Sequence, residues 1–238
     1  MYTNVSETLT NEYPQCYTNS WSYHSSPMNW CEEKYTHSEY IVEFWNSISS
    51  LFFTLFAILG YFIHRNYKTY DSKFNMLLQW SLFGLIGITS FWFHSTLSFA
   101  GQFADEFSII LYLIFSIKQM FHLHNYIFYI TTLLLSLVSW FYPFMSPFFL
   151  LTFGTILIWL TKIGLNTAGE VKLWNSGFNF GILSIVLWVL DFVCIINTHT
   201  WWHIFITYSS YCYTLVMLKL ITKKYCKIKF GVIPYLTN

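Results

Sequence analysis

The stretch His199-Thr-Trp-Trp-His203 places two histidines four residues apart at the start of a long apolar run, Trp201 to Leu220. On a helix, positions i and i+4 share a face, so both imidazoles can aim at one point. Two imidazoles at that spacing make half of a divalent-metal site, and zinc is the commonest occupant. The same pair would also suit a helix core or an interface, and spacing alone leaves both readings open. A third imidazole, His94, ends another apolar run, with Ser90 four residues before it on the same helical face. Three histidines with a fourth position left for water are the pattern of a catalytic zinc, which makes hydroxide accessible near neutral pH. Asp105 is placed to take and return a proton, and Ser90 to donate to the oxyanion formed when a carbonyl is attacked. The competing reading is a buried polar network that only locks the helices carrying these residues together.

The elements that must position these residues are apolar. The chain has 238 residues, of which 55% are hydrophobic, 23% aromatic and 10% charged. A soluble domain carries roughly a quarter charged residues. The apolar residues come in runs of about 20, the span of a bilayer. The composition therefore predicts an all-α polytopic membrane protein, a bundle of about seven transmembrane helices. The expected spans are Tyr40–Ile63, Phe74–His94, Ala104–Phe121, Tyr126–Tyr142, Pro147–Leu165, Lys172–Ile196 and His199–Ile221, with only Asn197 and Thr198 between the last two. Residues 1–39 form a polar N-terminal segment without the pattern of a cleaved signal peptide, residues 40–222 the transmembrane hydrolase domain, and residues 223–238 a basic tail. A net charge of +1 says nothing about nucleic acid, but no basic patch looks built for it, so no nucleic-acid partner is expected.

Basic residues set the orientation. Arg65, Lys68 and Lys73 fall in the first loop, Lys118 ends helix 3, Lys162 and Lys172 flank the fifth loop, and Lys219, Lys223, Lys224, Lys227 and Lys229 lie at or beyond the end of helix 7. Only Lys34 is left for the other side. The N-terminus is thus expected in the lumen or outside the cell and the C-terminus in the cytosol. In that frame Glu43 (one turn into helix 1), His94, Asp105-Glu106, Asp191, His199 and His203 all fall at one depth beneath the outer leaflet. Ionisable residues in lipid are costly, so such a cluster marks a functional site.

Asn29-Trp-Cys-Glu-Glu-Lys-Tyr35 followed by Tyr40-Ile-Val-Glu-Phe-Trp-Asn46 resembles the N-terminal signature of the alkaline ceramidases. Ser90-x3-His94, Asp105-Glu106, Trp188-x2-Asp191 and His199-x-Trp-Trp-His203 continue the resemblance in order. It implies seven transmembrane helices and a zinc amidase that cleaves ceramide to sphingosine and a fatty acid in a secretory-pathway membrane, the endoplasmic reticulum or Golgi. It further implies His94, His199 and His203 as zinc ligands, Asp105 as proton carrier and Ser90 as oxyanion partner. No protein partner is inferred. The wider resemblance includes the adiponectin-type receptors. A receptor with a structural zinc, or a homologue that binds lipid without cleaving it, is the competing class.

The resemblance also implies a calcium ion near the N-terminal signature, held by Asn29, Trp30 through its carbonyl, Glu32, Lys34 and Glu43. Asn29 stands where the family pattern has Asp, and Lys34 where it has Asn. Calcium favours several hard, carboxylate-rich oxygens, so both changes weaken it. Either the Lys34 ammonium partly replaces calcium, pairing with Glu32 or Glu43, or Lys34 points to water and only its carbonyl binds. Cys31 and Cys194 are both expected on the oxidising side, and a bridge between them is similar to one in that family. Cys16 stays unpaired in this reading, and Asn4-Val-Ser6 is a glycosylation sequon. Trp201 and Trp202 suit a pocket wall and an interfacial anchor equally.

Overall fold

The computed structural model describes residues 25–28, 30–64 and 70–225, with the side chains of 70–74 and 222–225 outside that description. The sequon, Cys16, Asn29, Arg65, Lys68 and the tail from Cys226 onward therefore lie outside the described residues, as do the side chains of Lys73, Lys223 and Lys224. Among the described residues the secondary structure is helical: α1 (Phe44–His64), α2 (Tyr70–Thr96), α3 (Phe99–Phe121), α4 (Asn125–Phe141), α5 (Ser146–Ile163), α6 (Ala168–Phe192) and α7 (His199–Tyr225), with a short 3₁₀ turn at Pro143–Met145. An isolated bridge joins Ser25 to Ser98.

Six helices are long and apolar enough to cross a membrane, and the chain reads as a multi-pass membrane protein. The seventh, α4, has 17 residues. At 1.5 Å per residue it is about 26 Å long, short of a hydrocarbon core of about 30 Å. Pro143, which lacks an N–H donor, stands where the helix would continue. Of the seven spans expected, six meet that length and the seventh is this shorter apolar helix. Large apolar side chains such as Leu55, Leu133, Trp159 and Ile185 lie on the bundle's exterior, as a lipid-facing surface requires.

The helix ends differ from expectation for local reasons. α1 starts at Phe44, so Glu43 precedes the helix instead of lying one turn inside it. The amides of Val42 and Glu43 donate to the carbonyls of Ser95 and His94, both at 3.1 Å, which holds this segment extended along the end of α2. α3 begins early because Ser98 caps it, its hydroxyl accepting from the Gly101 amide at 3.1 Å. α6 begins at Ala168 behind a capping box of Thr167 and Glu170, which puts Lys172 inside the helix. It ends at Phe192, and Cys194 takes a positive φ of 49° while its amide bonds to the Asp191 carbonyl at 2.8 Å. The link to α7 is therefore residues 193–198, longer than the two residues expected.

α1, α2, α3 and α7 pack around one core of Phe53, Trp80, Phe83, Tyr112, Phe115, Leu215 and Met217. Lipid gives helices little hydrophobic reason to associate, so close backbone approach and hydrogen bonds must do it. At Gly87, a side-chain Cβ would meet the Ser50 carbonyl oxygen at 2.9 Å, and Thr54 of α1 donates to the Gly84 carbonyl at 2.9 Å. On the other side Ser209 of α7 donates to the Gly177 carbonyl of α6 at 2.7 Å. These contacts bring the ends of α2 and α6 and the starts of α1, α3 and α7 together at one end of the bundle.

Candidate metal centre

His94 comes from the last turn of α2, and His199 and His203 from the first turns of α7. All three are buried to 1% exposure. Each offers a ligand nitrogen, and these nitrogens lie within 4.8 Å of one another. The rings converge, with centroids 5.0 Å apart for His94–His199 and His94–His203 and 4.6 Å for His199–His203.

The outer nitrogens decide whether these rings fit a cation. His94 Nδ1 lies 2.7 Å from Glu43 Oε2. A carboxylate only accepts, so Nδ1 carries the proton and Nε2 presents its lone pair. Ser49 Oγ lies 2.8 Å from His203 Nδ1 and donates its own hydrogen to the Asn46 carbonyl at 3.1 Å. Its oxygen is then left to accept from Nδ1–H, and His203 Nε2, buried and without a hydrogen-bond partner, presents a lone pair too. His199 Nδ1 is likewise buried without a partner, 4.0 Å from Asp191 Oδ2. The carboxylate behind His94 and the hydroxyl behind His203, each fixing its ring's tautomer, are the usual support of a metal-bound histidine. The donor set therefore fits a divalent cation of the zinc type.

The surroundings hold the rings in place. Asp191 Oδ1 accepts from the amides of Thr198 and His199 at 2.8 and 3.1 Å, anchoring the start of α7. Its other oxygen accepts from the Cys31 amide at 3.2 Å. Cys31 and Cys194 are joined by a disulfide. The strap so fastened lays Trp30 on His199, with centroids 3.9 Å apart and planes 29° off parallel. Trp202 closes on His199 from α7 at 4.6 Å, whereas Trp201 is 56% exposed. Ser90 is buried on α2 one turn before His94. Asp105 Oδ1 is buried and has no hydrogen-bond partner.

A family model described as Ceramidase matches residues 22–230. The chain belongs to the ceramidase family. Alkaline ceramidase 3 of Mus musculus is 25% identical over 232 residues, covering 83% of this chain and 85% of that protein. Alkaline ceramidase of Drosophila melanogaster is 24% identical over 216 residues, covering 79% and 74%. Alkaline ceramidase 1 of Mus musculus is more similar over a shorter stretch, 42% identical over 89 residues, and the chain spans only 32% of that protein.

Of the remaining residues singled out in the sequence, Trp30, Glu32, Lys34 and Glu43 come together beside the triad. Glu32 Oε1 and Oε2 accept from the amides of Trp45 and Asn46 at 2.7 and 2.8 Å, capping α1. Lys34 Nζ donates to the Trp30 carbonyl at 2.7 Å and to Glu43 Oε1. Burial pushes the Glu43 carboxyl up, but the hydrogen bonds from His94 and Lys34 and the charge beside it outweigh this and hold it below the usual carboxylate range. Sequence reasoning missed Ser49 as the support of His203. It also missed the direct bond from Glu43 to His94, and Asp191 as the anchor of α7. A buried carboxylate near the histidines was the available signal for the last two.

Proposed function

We propose that this chain is a zinc-dependent hydrolase that cleaves the amide bond of ceramide to sphingosine and a free fatty acid within the membrane. The observation that carries the reading is the convergence of His94, His199 and His203, all buried, with their nitrogens within 4.8 Å of one another. Family membership supports the substrate class, and the relatives named alkaline ceramidase support the reaction. Zinc bound by these three residues supplies a Lewis acid and lowers the pKa of water.

The chain's own residues do the rest. Glu43 and Ser49 hold Nδ1–H of His94 and His203, so both rings keep their lone pairs directed inward. The unpartnered Asp105 Oδ1 takes a proton from the attacking water and returns it to the leaving amine nitrogen. Ser90 Oγ–H donates to the carbonyl oxygen as it gains charge. Trp30 and Trp202 wall His199 and exclude bulk water from that side. A groove of about 460 Å³ between α1 and α7, lined by Trp45, Ile48, Ser49, Phe52, Thr200 and Ile204, gives an alkyl chain an apolar path to Ser49. The site end faces the lumen or the exterior and the C-terminus the cytosol, in a membrane of the secretory pathway.

The test is hydrolysis of ceramides of varied chain length by purified protein, with and without a zinc chelator, beside His203→Ala. Turnover lost on chelation, restored by zinc and absent from His203→Ala is the expected result. Full hydrolysis by the variant would refute the mechanism. A metal-loaded protein that binds ceramide without cleaving it would favour the receptor or lipid-binding class instead.

A further inference from the structure

Beside the triad lies a group of oxygens of the kind that holds a hard cation: the Trp30 carbonyl and the carboxylates of Glu32 and Glu43. Every one of them is engaged. The Trp30 carbonyl and Glu43 Oε1 both accept from Lys34 Nζ. Glu43 Oε2 accepts from His94 Nδ1 at 2.7 Å and from Asn46 Nδ2 at 3.2 Å. Both oxygens of Glu32 are taken by amides at the start of α1, where the helix dipole further offsets their charge. The ammonium neutralises Glu43 and stands on the oxygens a cation would need. A dication beside it would meet like charge at close range and, among the described residues, too few free carboxylate oxygens, and calcium binding needs six to eight oxygen ligands. The residues present do not fit calcium.

We infer that Lys34 is a covalently tethered replacement for a bound calcium ion, and that this chain's N-terminal site takes no calcium. Lys34 is a positioning residue in this arrangement. Its ammonium fixes Glu43 Oε1, which leaves Oε2 aimed at His94 Nδ1, and its bond to the Trp30 carbonyl holds the indole that stacks on His199. One side chain thus steadies two of the three imidazoles, and it does so whatever the calcium concentration.

The readouts are calcium binding, unfolding temperature and zinc affinity, none of which depends on ceramide cleavage. Purified full-length protein, loaded with zinc, is titrated with calcium chloride against magnesium chloride while unfolding is followed, and radioactive calcium retention is counted. No retained calcium and no calcium-specific change in unfolding temperature is the expected result. A specific rise in the wild-type chain overturns the inference by itself. Lys34→Asn combined with Asn29→Asp should acquire the response, raising the unfolding temperature by about 5–10 °C at calcium roughly a hundredfold above its dissociation constant. A folded, zinc-loaded double variant that still ignores calcium would show that Lys34 is not what excludes it. Lys34→Met should lower zinc affinity by roughly tenfold or more while Lys34→Arg retains most of it, and equal affinities in Lys34→Met and wild type would refute the positioning role.

Discussion

One hydrogen decides the role of His94 and of His203. His203 keeps its inward lone pair because Ser49 spends its own hydrogen on the Asn46 carbonyl and accepts from Nδ1. Ser49→Ala should therefore leave the fold intact and lower zinc affinity by about 10–100-fold, measured by competition with a chelating dye. Asp105→Asn keeps the shape and removes the proposed base. It should keep zinc and lower kcat by about 10²–10⁴-fold, read from turnover of ceramide at saturating metal. The three histidines were legible in the chain because two of them share a helical face and the third ends an apolar run. Ser49 was not. It sits in Asn46-Ser-Ile-Ser-Ser50, where no periodicity separates the hydroxyl that faces a histidine from its neighbours that bond to backbone carbonyls. Glu43 was legible as a buried acid, but its partner was not, since that depends on how the segment before α1 lies against α2.

The helices themselves were largely written in hydropathy, and their ends in caps. The Thr167–Glu170 capping box and the Ser98 cap are local patterns that move α6 and α3 off the hydropathy boundaries. The end of α6 at Phe192 is different, because apolar residues continue through Ile196 and only the turn at Cys194 ends the helix. What the hydropathy profile lacks is Asp191, one carboxylate serving three amides on two elements. Asp191→Ala leaves those buried N–H groups unpaired, which should cost about 1–3 kcal/mol for each one that finds no water, and thermal unfolding in detergent would register it. Close helix contacts give a second expectation. At Gly177 a Cβ would already lie 2.9 Å from Cys212 Cβ, so Gly177→Leu should pry α6 from α7 and lower both unfolding temperature and zinc content.

At the scale of the molecule, the bundle carries charge at both ends. Opposite the histidines, Lys219 of α7 lies 3.2 Å from the Glu170 carboxylate of α6, a buried pair that ties the same two helices at their far end. The disulfide and the Lys34 bonds fasten the N-terminal strap at the near end. Cys194→Ser should reduce stability by about 2–5 kcal/mol, with the loss appearing also in wild-type protein treated with reductant, and zinc should leave the protein faster in both cases. Cys194, His199 and His203 are all late in a chain whose matching partners, Cys31 and His94, are early. During synthesis on a ribosome six helices precede His199 and His203, so His94 waits in the bilayer without its companions. The centre can close only when α7 arrives to meet α2.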